Sequence, residues 1–451
     1  MPAVPIVSVT NAVAGASGQT VVNAGALRIG NSIGQWPFLP TNSNLTGGNA
    51  LPFIENIHGT IPTSVQMDEL ADYLVLSTCG HAFDGWRYFS QAAISLLNGA
   101  RNNALHLAYY AELRAALSIL AGSGIGILNK KHFVLTSSGS VDWFNGSTHT
   151  IAWEALKEWS KNPVHALKVI KNIEAFGMKA DEWASACNAA SSLQEIATHW
   201  LTNWSVDLAK IGDDRNLRNE ASYRPDLSPS AFAPLGHDEI NLVLGISSGC
   251  EFSGSGRFEI IDTALIHDLC SKACVLREGT YDRIKMANIW RSVFAWLQCH
   301  KQMSKTEAIT QLRQLIHASH SSASCIIQKA DPSFTNAGAV LSRAFLLLRL
   351  ASTLTRQQWI DIRTCASGGQ CQWQSTVLNS FGAWSNFWAI NNQSIDCDML
   401  EADRIDAEDE VNSWLQRSRP IVPFYKVWRD IPLPAINLCR FERTGILAVA
   451  P

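Results

Sequence analysis

Charged residues are scarce in this chain of 451 residues: Asp, Glu, Lys and Arg make up 17%, against 47% apolar residues. The formal net charge of −3 gives no overall basic field, which argues against a general nucleic-acid coat protein and leaves any RNA contact to a local surface. The apolar share is too high for a mostly disordered chain. The length allows two or three domains, each with its own core.

Motifs of several common chemistries are missing as well. No GxxxxGK[ST] or HExxH string occurs, which argues against a P-loop nucleotide site and a zinc-protease helix. The close-set glycines Gly122, Gly124 and Gly126 follow a strong helix, whereas a dinucleotide-binding loop precedes one. We therefore expect no nucleotide or dinucleotide cofactor.

The 11 cysteines are irregularly spaced and include no CxxC pair, so we expect reduced cytosolic thiols and no disulfide framework. His267, Cys270 and Cys274 could cluster on one helix as metal ligands. An amphipathic core stripe explains the same spacing better. We assign no metal.

The N-terminus lacks a basic region followed by an apolar run, so no secretory signal is expected. The most apolar segment, Ala337–Leu354, contains Arg343 and Arg349, and each charge would be costly inside a bilayer. This segment is expected to be the buried helix of a soluble, cytoplasmic protein without a membrane span.

Composition and periodicity predict a mainly α protein in three parts. Residues 1–64 are poor in charge and rich in Gly, Asn and Pro, which predicts an irregular arm with a few short strands. Residues 65–240 form a helical domain and residues 241–451 a second one, because Pro and Gly are concentrated between Ser222 and Gly256. The tail beyond Pro420 is proline-rich and expected to be extended.

Apolar residues recur at three- and four-residue steps in most of the chain beyond Val65. The predicted helices are Met67–Leu76, Trp86–Asn98, Leu105–Ala121, Ile151–Ser160, Pro163–Phe176, Asp181–Asn188, Leu193–Leu208, Ile260–Leu276, Tyr281–His300, Lys305–His317, Ala337–Leu354, Thr355–Thr364, Cys371–Trp388 and Asp403–Trp414. A small β-hairpin is expected between the third and fourth of these, from Gly126–Thr136 and Ser140–Thr150 around the turn Ser137–Gly139.

Two segments carry the main functional signal. Ala108–Ala121 (AYYAELRAALSILA) is rich in strong helix formers, and its helix is expected to end at Gly122. One face of this helix carries Tyr109, Leu113, Leu117 and Leu120, and we expect that face to be buried. About a hundred residues later, Arg218, Asn219 and Tyr223 form an R-N-x-x-x-Y array. Over about residues 65–240 these segments resemble HEPN-type domains, whose helical bundles carry an R-[N/H]-x-x-x-H-like motif.

This resemblance implies a component of a bacterial antiviral defence or toxin system that acts on RNA. In ribonucleases of the family, arginine and histidine from two subunits converge on one phosphate without metal, the guanidinium stabilising charge and the imidazole handling the 2′-hydroxyl proton. The implied catalytic residues are Arg218, Asn219 and Tyr223, and the implied substrate-binding residues are Arg215, Arg224 and Glu112. A homodimer or a partner subunit is implied as well.

Two other interpretations of these residues remain open. Tyr223 stands where the family has histidine, and a phenol with a pKa of about 10 is a poor base but a good hydrogen-bond donor. The bundle could therefore be a non-catalytic scaffold in which Arg218 pairs with Glu112 and Tyr223 fills the core. A second string, Arg101 to His106, reads R-N-x-x-x-H by letter but lies at the start of the Tyr109 helix, where five-residue spacing turns the two side chains about 140° apart.

Overall fold

The computed structural model describes residues 5–31, 43–45, 50–205, 235–250, 258–278, 283–318, 322–334, 336–365, 397–417, 421–422, 438–442, 445 and 448. Of these residues 76% are helical and 7% lie in strands, which confirms a mainly α protein. The helices are α1 (Val9–Ala14), α2 (Gly18–Asn31), α3 (Ala50–Ile57), α4 (Ser64–Leu97), α5 (Arg101–Gly122), α6 (Thr148–Lys161), α7 (Pro163–Ile170), α8 (Ala180–Ala186), α9 (Leu193–Ser205), α10 (His237–Ser248), α11 (Glu259–Glu278), α12 (Arg283–His300), α13 (Lys305–His317), α14 (Ser322–Lys329), α15 (Ala337–Cys365) and α16 (Cys397–Arg417).

Short antiparallel pairings complete the described fold. The strands are β1 (Ile125–Gly126), β2 (Lys131–Leu135), β3 (Val141–Asn145), β4 (Glu174–Ala175), β5 (Met178–Lys179), β6 (Leu235–Gly236) and β7 (Ile421–Val422). The central β2 pairs with β1 on one side and with β3 on the other. The β2–β3 register runs from Lys131 opposite Asn145 to Leu135 opposite Val141. Separately, β4 pairs with β5, and β6 pairs with β7.

The long helices α4, α5 and α15 form the centre of the molecule. The tryptophan Trp86 of α4 is fully buried, and its indole Nε1 donates to Ser352 Oγ of α15 over 2.9 Å. The rings of Phe89 and Phe345 lie 5.9 Å apart beside it. A helix from residues 65–240 thus shares one apolar core with a helix from residues 241–451.

The predicted buried face of α5 is confirmed. Tyr109 and Leu120 are fully buried, and Leu113 and Leu117 expose 4% and 6% of their surface. The helix ends at Gly122, and the chain then turns at Gly124, whose φ of +92° is unfavourable for other residues. A β-carbon at Gly124 would also lie 2.8 Å from the Ser17 carbonyl oxygen.

The interpretation of residues 1–64 as an irregular arm is wrong for the described part, which contains α1, α2 and α3. Tertiary packing overrides the weak helix propensity of this glycine- and asparagine-rich segment. Val21 and Val22 of α2 are buried, and Gly25 packs so closely on α15 that a β-carbon there would meet Ile362 at 2.6 Å.

Two pairs of predicted helices are each a single helix. Met67–Leu76 and Trp86–Asn98 both belong to α4, because the less apolar stretch between them packs on α15, where the Trp359 indole nitrogen approaches Cys79 Sγ at 2.6 Å. Ala337–Leu354 and Thr355–Thr364 likewise form the continuous α15.

One described helix is long and apolar enough to cross a membrane by length and composition. It covers Ala337–Ile362 of α15, and 83% of its most apolar window is buried inside the protein. The apolar character of α15 is thus explained by its place in the core, as the sequence predicts.

Candidate functional site

Aromatic and imidazole rings from three helices meet at the α5 surface. Tyr88 comes from α4, His106, Tyr109 and Tyr110 from α5, and His149 from α6. The Tyr109 hydroxyl and His149 Nδ1 form a hydrogen bond of 3.1 Å. The Tyr110 ring lies 5.0 Å from His106, 6.2 Å from His149 and 5.4 Å from Tyr88, measured between ring centroids. We refer to these five residues as the histidine–tyrosine cluster.

Helical geometry accounts for the cluster. His106 and Tyr110 are four residues apart on α5, so they lie on the same face. Asn145 ends β3 and α6 begins at Thr148, so the hairpin brings His149, in the first turn of α6, back against α5. The sheet between the two helices therefore determines which residue meets Tyr109.

The cluster has a buried side and a solvent side. Tyr109 is fully buried, whereas Tyr88, His106, Tyr110 and His149 are partly exposed. Aromatic faces at a surface can stack on nucleobases, and imidazoles can accept or donate protons near neutral pH. The cluster therefore has the groups needed to hold a base and to transfer a proton beside it.

A buried indole lies beneath the cluster. Trp153 of α6 exposes only 2% of its surface, and its ring centroid is 6.5 Å from that of Tyr109. Its Nε1 has no hydrogen-bond partner among the described residues, and buried indole N–H groups normally have one. The indole N–H of Trp153 is thus an unsatisfied donor in the layer that packs beneath the cluster.

The literal R-N-x-x-x-H string begins at the first residue of α5. Arg101 Nη2 lies 2.6 Å from Glu239 Oε1 of α10, while His106 packs on the Tyr110 ring. The guanidinium is therefore engaged in an ion pair with α10, and the imidazole belongs to the histidine–tyrosine cluster.

Glu112, a predicted substrate-binding residue, lies in the interior of the bundle. Its side chain is 3% exposed, and Arg343 Nε of α15 donates to Glu112 Oε1 over 3.0 Å. Arg343 also donates from Nη1 to the Phe334 carbonyl oxygen. The described partner of Glu112 is thus an arginine of α15, and this pair links α5 to α15.

A second buried ion pair on α15 adjoins a cavity. Arg349 donates to both carboxylate oxygens of Asp262, over 2.9 and 2.5 Å. Burial raises the pKa of Asp262, and the Arg349 charge opposes that rise. The cavity holds about 100 Å³, and its wall also includes Glu174, Glu259 and Arg356. Acidic and basic groups are mixed here, so the wall does not select a ligand of one charge.

The residues that the sequence offers as possible metal ligands are buried or pack beside an aromatic ring. Cys270 and Cys274 of α11 are fully buried, and the His267 ring lies 5.7 Å from Trp290. No group of three metal-binding side chains occurs among the residues that the structure describes. A GxSxG string is present at Gly245–Gly249, but its Ser247 is 1% exposed and lies near the end of α10, not at the strand-to-helix turn of a nucleophile.

The predicted catalytic residues Arg218, Asn219 and Tyr223, and the flanking Arg215 and Arg224, lie outside the described residues.

The Tyr109–Tyr110 doublet of the cluster was visible in the sequence. The contributions of Tyr88 and His149 were missed, because lone residues on other helices reach α5 only through the fold. The separation of 40 residues between Tyr109 and His149 carries no local signal.

Comparison with protein-family models, curated proteins and solved structures finds no match to this chain.

Proposed function

We propose that the protein is a HEPN-like component of a bacterial antiviral defence or toxin system that acts on RNA as a metal-independent endoribonuclease. The observation that carries this proposal is the histidine–tyrosine cluster, in which two partly exposed imidazoles contact the same phenol ring. The resemblance of the Tyr109 helix to HEPN helices adds support. We place its activity in the cytoplasm, where RNA is available.

The proposed reaction needs only proton transfer and charge stabilisation. One imidazole takes the proton of a ribose 2′-hydroxyl, whose oxygen attacks the adjacent phosphorus. The bond from phosphorus to the 5′-oxygen breaks, and the second imidazole donates a proton to that oxygen. The products are a 2′,3′-cyclic phosphate and a 5′-hydroxyl, so no metal ion or other cofactor is required.

The remaining residues have supporting roles in this proposal. Tyr88 and Tyr110 are nearly parallel, with 26° between their rings, and stack on bases next to the cleaved bond. Arg218 with Asn219 and Tyr223 contacts the phosphate, and Arg215 and Arg224 hold neighbouring phosphates.

The test uses the purified full-length protein, end-labelled single-stranded RNA and EDTA. We expect cleavage by the wild type, and a loss of at least about tenfold in His106→Gln and in His149→Gln, because acid–base groups typically contribute 10²–10⁴-fold. His300→Gln is the matched control, since this exposed histidine on α12 stacks on Trp296. Equal cleavage by all three variants would remove the cluster from the reaction.

A scaffold function is the second candidate. Arg101 of the only literal R-N-x-x-x-H string is engaged by Glu239, and the R-N-x-x-x-Y array has tyrosine in the histidine position. Both observations favour a non-catalytic interaction subunit of a multi-protein defence complex. Wild-type protein that neither cuts nor binds RNA, but co-purifies with a partner subunit from its host, would support this function over the first.

A further inference from the structure

Two buried thiols from separate helices are in direct contact. Cys187 follows the last residue of α8, and Cys270 lies in the middle of α11. Their Sγ atoms are 2.9 Å apart, and neither side chain is exposed to solvent. The two residues are 83 positions apart in the chain, so this contact is a product of the tertiary fold.

The backbone holds both residues in place. The Cys187 N–H donates to the Trp183 carbonyl oxygen over 3.0 Å and so continues the hydrogen bonding of α8. Cys270 is within a helix of 20 residues that packs directly on α8. A sulfur–sulfur bond is about 2.0 Å long, so the two sulfurs must move roughly 1 Å closer for the bond to form.

Ordinary packing of two thiols explains the short distance between the sulfurs less well. A thiol is a poor hydrogen-bond donor and acceptor, so two neutral thiols gain little from contact. Neither sulfur is part of a disulfide in the structure. The same pair is nonetheless placed for oxidation.

We propose that Cys187 and Cys270 are an oxidisable dithiol that hydrogen peroxide converts to a disulfide. One sulfur attacks the peroxide, the O–O bond breaks, and a sulfenic acid and water form. The second sulfur then attacks the first, the S–O bond breaks, and a second water leaves. Both thiol protons end in water, the two sulfurs lose two electrons in total, and one molecule of peroxide is reduced.

Burial governs the rate and the choice of oxidant. The apolar surroundings, and next the neighbouring Cys187, raise the pKa of the Cys270 thiol, which keeps it protonated and slows its attack. Peroxide is small enough to enter through local opening, whereas a peptide disulfide such as oxidised glutathione is bulky. We therefore expect oxidation to be slower than that of the exposed Cys299 and Cys325.

The experiment uses this difference in exposure. The native reduced full-length protein is first treated with iodoacetamide, which blocks exposed thiols, and is then incubated with hydrogen peroxide. After quenching and unfolding, the remaining thiols are labelled with N-ethylmaleimide and the protein is digested. We expect a peptide containing Cys187 joined to one containing Cys270, with the loss of two hydrogen atoms, and a faster band on a non-reducing gel that disappears with dithiothreitol.

Two variants complete the design. Cys187→Ala should abolish the fast-migrating band, whereas Cys274→Ala should retain it, since Cys274 is also buried on α11 but one turn away. The wild-type peptide map does not depend on whether either variant folds. The proposal is overturned if Cys187 and Cys270 both carry N-ethylmaleimide after peroxide treatment, if either ends as a sulfinic acid, or if Cys270 is joined to a different cysteine.

Discussion

At the scale of single residues, the ion pair between Glu112 and Arg343 links the core helices, with both side chains at most 6% exposed. Arg343→Met would leave the Glu112 carboxylate buried without this cation. We expect a loss of about 3–5 kcal/mol in the free energy of unfolding, measured in urea. The double variant Glu112→Met with Arg343→Met should recover much of that loss, because it removes the buried charge as well.

The control for this pair is Lys161 with Glu158, a surface ion pair at 2.6 Å whose lysine is 56% exposed. Solvent screens such a pair, so Lys161→Met should change stability by less than about 1 kcal/mol. An equal, small loss of stability at both sites would mean that Arg343 is not needed to stabilise the buried Glu112 carboxylate.

His132 predicts a pH effect on stability. This fully buried imidazole accepts from the Leu128 N–H at Nδ1 (3.1 Å), while its Nε2 lies 3.0 Å from the Gly146 carbonyl oxygen. Burial lowers its pKa from 6.5 to about 4. The folded state therefore favours the neutral ring, and its contribution to stability is complete above pH 6.5 and is lost as the pH falls toward 4.

The expected loss is on the order of 2–3 kcal/mol between pH 7 and pH 4, measured by urea unfolding at each pH. His132→Gln should flatten this part of the stability curve. A wild-type slope that persists fully in His132→Gln would assign the acid sensitivity to other groups.

At the scale of elements, α5 is the helix around which the described core is assembled. Leu117 is 6% exposed on its buried face, and its truncation removes apolar contacts and leaves a cavity. Leu117→Ala should cost about 2–5 kcal/mol in urea unfolding. Val164→Ala on α7, where the side chain is 70% exposed, should change stability by less than about 0.5 kcal/mol. A loss below about 1 kcal/mol at Leu117 would contradict its central position.

Elements with strong local signals could be predicted from the sequence, and those that depend on packing could not. The Ala- and Leu-rich α5 with its glycine stop is visible from propensity alone. By contrast, α2 contains Gly, Asn and Val, and its burial against Ile362 is known only from the fold. The histidine–tyrosine cluster could likewise be predicted only in part. Tyr109 and Tyr110 are adjacent in the sequence, but His149 reaches them only because β2 and β3 bring α6 back against α5.

At the scale of the whole molecule, α15 connects the two predicted halves. Arg343 pairs with Glu112 of α5, and Arg349 pairs with Asp262 of α11. A fragment of residues 1–240 lacks this helix and leaves Glu112 without Arg343. We expect that fragment to lose cooperative thermal unfolding and to bind the dye ANS, which would show that the halves do not fold as independent domains. A cooperative transition would instead support the predicted boundary.

Assembly is a further property at this scale, because the resemblance to HEPN-type domains implies a homodimer or a partner subunit. We expect light scattering to give at least twice the 49.4 kDa mass of one chain, or a partner to co-purify from the native host. A monomer at every accessible concentration, with no co-purifying partner, would contradict this prediction.

The most direct test of the proposed function is cleavage of an RNA oligonucleotide, in EDTA, beside the same oligonucleotide with 2′-deoxyribose at every position. The proposed reaction begins at the 2′-hydroxyl, so we predict that the RNA is cut to fragments ending in 2′,3′-cyclic phosphate and that the deoxy strand stays intact. Cleavage of both strands, or of neither, would contradict the account.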